Sequence, residues 1–406
     1  MSDDLDGWGG ADFVLAADRL DTPDVIEAAD PGDMLRQVAS AAAQVRTALR
    51  SCAETDLSAF AAEGRPRVIV VAGVGASALA GEMLNALAGL NTPVQVVISP
   101  AERLPGWVGA ADAVIAVSSS GATRETLALA VEAARRGCRL AGVGAEGSPL
   151  HRIAEQARAP FVPVVPAGLP RSMLWAVAVP LLAIAERLGV TRIGSDVYEQ
   201  AASRLEEVSH QCRPASESFV NPGKSLALDL VGALPMVWGT SALSRVAARR
   251  LTGQLHENAK YPALWSVLPE AAHTQVAAFD GPFAPRSSRL SAPEPEPGPD
   301  DISDLPGWDL DYDDAEPASG FTALRLILIA DPDEDQRVSA QRAAVTELAG
   351  QRGVGMSELA MDGEHPLVRL AGVVQLTDYA SVYLAIASGI DPGLTVAIRD
   401  LRTRIE

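Results

Sequence analysis

Ser118-Ser-Ser-Gly-Ala-Thr123 sets three hydroxyl side chains, Ser118, Ser120 and Thr123, around one glycine, where a β-branched run gives way to helical spacing. Gly121 lets a ligand approach the main chain, and the helix after it offers free N–H groups with a partial positive charge. Such a loop cradles a phosphate monoester. Equally, it is a polar loop with an ordinary Ser/Thr cap. A second glycine loop, Gly73-Val-Gly75-Ala-Ser-Ala78, comes after an earlier apolar run. It fits the dinucleotide pattern G-x-G-x-x-A, which also wants a carboxylate at the end of the next strand for the ribose hydroxyls. That strand ends Val97-Ile-Ser-Pro100, and Glu102 lies beyond the proline. A nicotinamide-dependent reading fails there, and Ser77 sits instead where it can face the same crevice as the serine loop. Pro222-Gly-Lys-Ser225 resembles the end of a P-loop, but Ser218 stands where the first glycine is required.

A different chemistry is available at His256-Glu257-Asn-Ala-Lys260 and at His273, sixteen residues beyond Glu257. A carboxylate base with a histidine is the pair needed to move a proton between adjacent carbons of an open-chain sugar and to open its ring. Glu257 and His273 read just as well as surface residues near a helix end. His151, His210, His256, His273 and His365 form no H-x-x-x-H or His/Cys group, so neither a metal nor a cofactor enters the reading.

Strands alternating with helices must position these residues. Arg67–Ala72 is a short β-branched run of buried-strand type, succeeded by a helix over 77–89 and a strand over 93–99. Strands are expected over 112–117, 139–144 and 161–165, with helices over 123–136 and 171–188. A charged helix over 195–210 bridges to a second alternation, with strands over 234–239, 324–330 and 354–360 and helices over 243–258 and 337–350. This order implies right-handed βαβ crossovers and parallel sheets covered on both faces. The first strands of the two halves end alike, Gly-Ala-Ser-Ala-Leu79 against Gly-Thr-Ser-Ala-Leu243, a hint of two copies of one unit.

Bulk composition bounds the partners. A chain of 406 residues exceeds one hydrophobic core, and 48% hydrophobic with only 4% aromatic residues points to cores of Ala, Val, Leu and Ile. A net charge of −19 argues against nucleic acid, yet leaves room for a small anionic ligand held by a few basic groups and helix ends. The 31 Arg and two Lys make Lys224 and Lys260 worth locating. Apolar runs fall short of a membrane span, the N-terminus is acidic rather than signal-like, and three scattered cysteines suit a reduced, cytoplasmic setting. Residues 291–318 carry ten acidic groups and six Pro without Lys or Arg, the composition of a solvated insertion.

Over roughly residues 65–406 the chain resembles the sugar isomerase (SIS) domain family, and within it the bifunctional phosphoglucose/phosphomannose isomerases. The resemblance is carried by Gly73–Gly81, Ser118–Thr123, Pro170-Arg171, Gln254–Lys260 with Pro262-Ala263, and Asp378–Ala385 with Gly389-Ile-Asp-Pro392. It implies two tandem αβα SIS-type domains, each a mainly parallel sheet flanked by helices, with a sugar-phosphate site at the crevice. The boundaries expected are an acidic arm over 1–35, a first domain over 36–194, a bridging helix over 195–212 and a second domain over 213–406. The implied activity is metal-independent interconversion of fructose 6-phosphate with glucose 6-phosphate, mannose 6-phosphate or both through an enediolate. A non-catalytic phosphosugar-binding or regulatory protein is the alternative.

By that resemblance Gly75, Ser77, Ser118, Ser120 and Thr123 bind the phosphate. Arg171 stabilises the enediolate, Glu257 shuttles the proton and His273 opens the ring. In the family the histidine comes from a neighbouring subunit, which implies a homodimer. Arg402, where the family has Lys, assists ring opening, and Thr395 matches a threonine linked to accepting both C2 epimers. Three departures stand out: Ala76 replaces a loop glycine, His273-Thr-Gln275 replaces His-Asn-Glu, and Arg402 keeps its charge without exchanging a proton near neutral pH.

Overall fold

The computed structural model describes residues 10–285 and 323–405, so the acidic segment 291–318 lies outside the described residues. Before the first strand come α1 (Gly10–Asp21), α2 (Pro23–Ala29), α3 (Met34–Ala39), α4 (Ala41–Glu54) and α5 (Ser58–Ala62). The stretch 1–35, which by composition suggests an arm, is thus largely helical from Gly10 onward. Leu20, Ile26 and Met34 are buried in the main core, and Arg19 donates to the carbonyl of Ala387. Apolar spacing that suggests one helix from Gly32 to Ala53 is broken at Ser40, whose hydroxyl donates back to the Gln37 carbonyl. Serine hydroxyls compete with the helix ladder in this way.

The first sheet contains β1 (Val68–Ala72), β2 (Gln95–Ser99), β3 (Ala113–Ser118), β4 (Arg139–Gly144) and β5 (Phe161–Pro163), all parallel, in the order β2-β1-β3-β4-β5. Every residue of β1 and β3 is buried, which is why they read as unbroken apolar runs. Its helices are α6 (Ala76–Ala88), α7 (Arg124–Arg135), α8 (Pro149–Gln156) and α9 (Leu174–Arg187), the last preceded by a 3₁₀ turn over Pro170–Ser172. The bridge, α10 (Ser195–Gln211), and then α11 (Pro222–Leu230) lead to the second sheet.

That sheet contains β6 (Ala233–Gly239), β7 (Leu264–Val267), β8 (Ala323–Ala330) and β9 (Gly355–Ala360), again parallel, in the order β7-β6-β8-β9. The fold is α/β, as the alternation predicts, and β6 pairs with β7 and β8 as β1 pairs with β2 and β3. The short edge strand β7 is absent from the sequence expectation because Leu264 and Trp265 are partly exposed and leave no continuous apolar run. Helices α12 (Ala242–Gln254), α13 (Glu270–His273), α14 (Gln336–Gln351), α15 (Pro366–Ala387) and α16 (Val396–Ile405) complete the described chain.

One apolar core joins the two sheets. Val71 and Ile115 face it from the first, Val237 and Ile327 from the second, with α6, α9, α12 and α15 packed between. Each fully buried Leu or Val there contributes about 1.5–3 kcal/mol. By length and composition α15 could cross a bilayer, but 94% of its most apolar window is buried inside the fold, so its apolarity is spent on the core.

Candidate active site

At the C-terminal end of β3 the chain turns through Gly121, whose N–H donates to the Ser118 carbonyl at 2.9 Å. Gly121 has φ +62°, and a Cβ on it would lie 2.0 Å from Ser148 Oγ; one on Gly144 would lie 2.5 Å from the Ser118 carbonyl oxygen. Only glycines let the serine loop press onto the β4–α8 turn so closely. Inside the loop Ser118 Oγ is 2.8 Å from Thr123 Oγ1 and 3.4 Å from Ser120 Oγ, and Ala122 N–H donates to Ser120 Oγ at 3.3 Å. Thr123 is the N-cap of α7 yet makes no side-chain cap. The first N–H groups of a twelve-residue helix therefore stay open beside three hydroxyls, an arrangement suited to an oxyanion.

The first glycine loop lies alongside. A Cβ on Gly73 would sit 2.7 Å from Ser77 Cβ and 3.0 Å from the Val117 carbonyl, so the ends of β1 and β3 almost touch. Gly75 has φ +58°, and Ser77 is buried in the first turn of α6. Ala76 takes a helical position within α6, where alanine is favoured, so the departure at that position imposes no strain.

Glu257 stands on a π-helical turn, Leu255–Ala259, that continues α12 and stops at Lys260 in the left-handed region, φ 56°. Such turns often mark functional sites because they re-aim side chains. The turn buries Leu255, Asn258 and Ala259 and leaves Glu257 half-buried, with no hydrogen bond to its carboxylate among the described residues. Arg171, buried in the 3₁₀ turn before α9, reaches across from the other half of the chain. Its Nε donates to Asn258 Oδ1 at 2.7 Å, and its Nη2 donates to the carbonyls of Pro392 at 2.5 Å and Gly393 at 3.0 Å. All three acceptors are neutral, and Nη1 makes no hydrogen bond among the described residues. Burial pulls the guanidinium below its usual range, while Glu257 and Asp391 act in the opposite sense. A buried cation thus keeps its charge next to a carboxylate that no hydrogen bond restrains, which is the pairing needed to move a proton and hold the resulting anion.

Residues 219–405 match the family model described as the bacterial phospho-glucose isomerase C-terminal SIS domain. That stretch of the chain is similar to an SIS domain. The chain is 26% identical over 339 residues to a bifunctional phosphoglucose/phosphomannose isomerase of Caldicellulosiruptor bescii, covering 83% of this chain and 89% of that one. Against the enzyme of the same name from Aquifex aeolicus it is 26% identical over 80% of this chain and 86% of that one. A glucose-6-phosphate isomerase of Chlamydia trachomatis shares the fold, with TM-score 0.65, 12% identity, and 97% of this chain and 85% of that one covered.

The remaining residues singled out by sequence fall in different places. Thr395 is half-buried, two residues beyond the carbonyl of Gly393 that holds Arg171. His273 ends α13 exposed, and Arg402 is exposed on α16; among the described residues no hydrogen bond or ion pair joins either to Glu257. Gln275, where the family pattern has Glu, accepts from Trp238 Nε1 at 2.7 Å and donates to the Trp265 carbonyl at 3.1 Å. A glutamate there could accept but not donate, so the amide suits this chain's own edge strand. Both lysines are clasps. Lys224, in the rejected P-loop-like stretch, is buried and donates to the carbonyls of Pro214 and Ser216. Lys260 joins the π turn to the C-terminal loop through the carbonyls of Asn258 and Asp391.

The second sheet has no comparable anion cradle among the described residues. Asp331, the first residue past β8, lies where the chain leaves the strand, as the serine loop does at β3, and it accepts the Ser241 hydroxyl at 2.6 Å. Ser241 and Ser244 close a reciprocal capping box on α12, consuming the donors that α7 leaves open. The loop after β8 continues with Asp333, Glu334 and Asp335, charges that repel an anion.

Proposed function

We propose that this protein is a phosphosugar isomerase that interconverts fructose 6-phosphate with glucose 6-phosphate, mannose 6-phosphate or both. The phosphate sits in the serine loop against Ser118, Ser120 and Thr123, with Gly75 and Ser77 closing the crevice. On the open-chain aldose, Glu257 removes the proton at C2, and the C–H electron pair forms the C1=C2 bond of an enediolate whose charge lies on the former carbonyl oxygen. Arg171 holds that charge through its free Nη1. The O2 hydroxyl proton passes to O1, which moves the negative charge to O2; as the C2–O2 carbonyl forms, Glu257 returns its proton to C1 to give the ketose. No metal enters the scheme, since proton transfer rests on side chains.

The observation that carries this reading is the buried guanidinium of Arg171, which feels the charge of Glu257 yet, among the described residues, donates its hydrogen bonds only to neutral oxygens. The exposure of His273 supports the further view that it serves a neighbouring subunit, with Arg402 assisting ring opening and Thr395 accepting either epimer at C2. A cytoplasmic homodimer is part of the same proposal. The test measures deuterium exchange at C2 and isomer conversion. Glu257→Gln should lower turnover by about 10²–10⁴-fold, the usual worth of a general base, while hexose-phosphate affinity changes little. Wild-type protein that binds the sugar phosphate without exchange or conversion would instead be a binding or regulatory protein.

A further inference from the structure

Asp378 takes no part in the proton transfer, yet two hydrogen-bond paths run from it to the two ends of Arg171. Along the first, its carboxylate accepts Arg250 Nε–H at 2.8 Å and Nη2–H at 2.7 Å, and the same Nη2 donates to the main-chain carbonyl of Arg171 at 2.7 Å. Along the second, its main-chain carbonyl accepts the Ser381 hydroxyl at 2.7 Å, and Ser381 Oγ accepts Asn258 Nδ2–H at 2.9 Å. Asn258 Oδ1 then accepts Arg171 Nε–H at 2.7 Å, which closes the ring. Asp378 and Ser381 lie one turn apart on α15, Arg250 is on α12, and Asn258 is next to Glu257 on the π turn. All four ring residues besides Arg171 are buried, as is Arg171 itself.

We propose that Asp378 and Ser381 are the positioning residues that aim Arg171 at the anion formed next to Glu257, the carboxylate acting through Arg250 and the serine hydroxyl through Asn258. The inference rests on the isomerase reading of the site. Its chemistry lies in the direction of each bond. The Ser381 proton is committed to the Asp378 carbonyl, so Oγ is left as an acceptor and Asn258 must turn its NH₂ toward it. The amide oxygen then faces Arg171, and a neutral acceptor holds the guanidinium without cancelling its charge. A donor already aimed where charge develops needs no reorganisation during the reaction, which is where such groups contribute most. Because Asn258 adjoins Glu257, one ring sets both the base and the cation.

The experiment compares wild type, Asp378→Asn and Ser381→Ala by calorimetry with two open-chain probes. One is a phosphorylated five-carbon hydroxamate, a planar anion resembling the enediolate; the other is a hexitol 6-phosphate, which is uncharged at the corresponding atoms. Wild type should prefer the hydroxamate. Both variants should lose about tenfold in hydroxamate affinity and in kcat, a fraction of the 10²–10³ for deleting such a donor, with hexitol-phosphate affinity and KM within about twofold. Ser381→Ala keeps the buried ion pair and tests the Asn258 arm by itself, so the proposal stays falsifiable if Asp378→Asn does not fold. Variants that lose thermal stability but keep the ratio of the two affinities would overturn the positioning role and leave the isomerase standing. A wild-type protein with neither the preference nor C2 exchange would overturn both.

Discussion

Ser118 and Thr123 hold one another at 2.8 Å, and that contact leaves the cap of α7 unmade. A helix end is ordinarily satisfied by its N-cap side chain, so an N-cap threonine turned to a neighbouring hydroxyl leaves donors for something else. Replacing Ser120 and Thr123 together by Ala should weaken hexose 6-phosphate binding, each lost bond to a charged group costing about 1.5–3 kcal/mol. The fold should survive, since Ser120 is exposed and Thr123 is only half-buried. Calorimetric affinity unchanged in the double variant would remove the serine loop from the site. The motif's residue types were legible in sequence; that Gly121 and Gly144 admit it against Ser148 was not, because those partners lie on other elements.

Among elements, the π turn after α12 and the exposed helix α16 matter most. Apolar spacing carries one helix from 243 to 258, and periodicity alone does not reveal the widened turn that presents Glu257 while burying Asn258. On α16 and the loop before it, Leu394, Ile398 and Leu401 recur at helical spacing and are 52%, 39% and 60% exposed. Three large apolar side chains in such a row suit burial against a second copy, as the proposed use of a neighbour's histidine requires. Leu401→Glu should therefore shift the sedimentation mass from dimer to monomer and reduce turnover while hexose-phosphate binding persists. A variant that sediments as wild type does would place α16 outside the interface.

At the scale of the whole molecule, two sheets with matching central strand order carry different loops at their strand ends. After β3 come hydroxyls and open N–H groups; after β8 come Asp331, Asp333, Glu334 and Asp335, with Arg369 paired to Asp331 at 3.4 Å and to Asp333. The first crevice is thus suited to an anion and the second is not. Calorimetry should give one hexose 6-phosphate per chain, and a stoichiometry of two would show that the acidic loop does not exclude the ligand. The net charge of −19 is no obstacle, because the cradle is made by a helix end and hydroxyls rather than by an excess of cations.

Local order determined a good deal here. Fully buried parallel strands need continuous β-branched runs, so β1 and β3 could be placed within a residue or so, and the serine loop with them. The SIS resemblance likewise rests on short contiguous motifs. Tertiary structure alone decided which groups meet. Arg171 meets Asn258 across 87 residues and the Pro392 carbonyl across 221, while Arg250 meets Asp378 across 128. It also set the burial of α15, whose composition fits a bilayer as well as a core, and it joined the helices from Gly10 onward to that core. Short-range spacing reports on neighbours within a turn or a strand pair. The charge and hydrogen-bond partners of a buried group depend on distant segments brought together when apolar surface is removed from water.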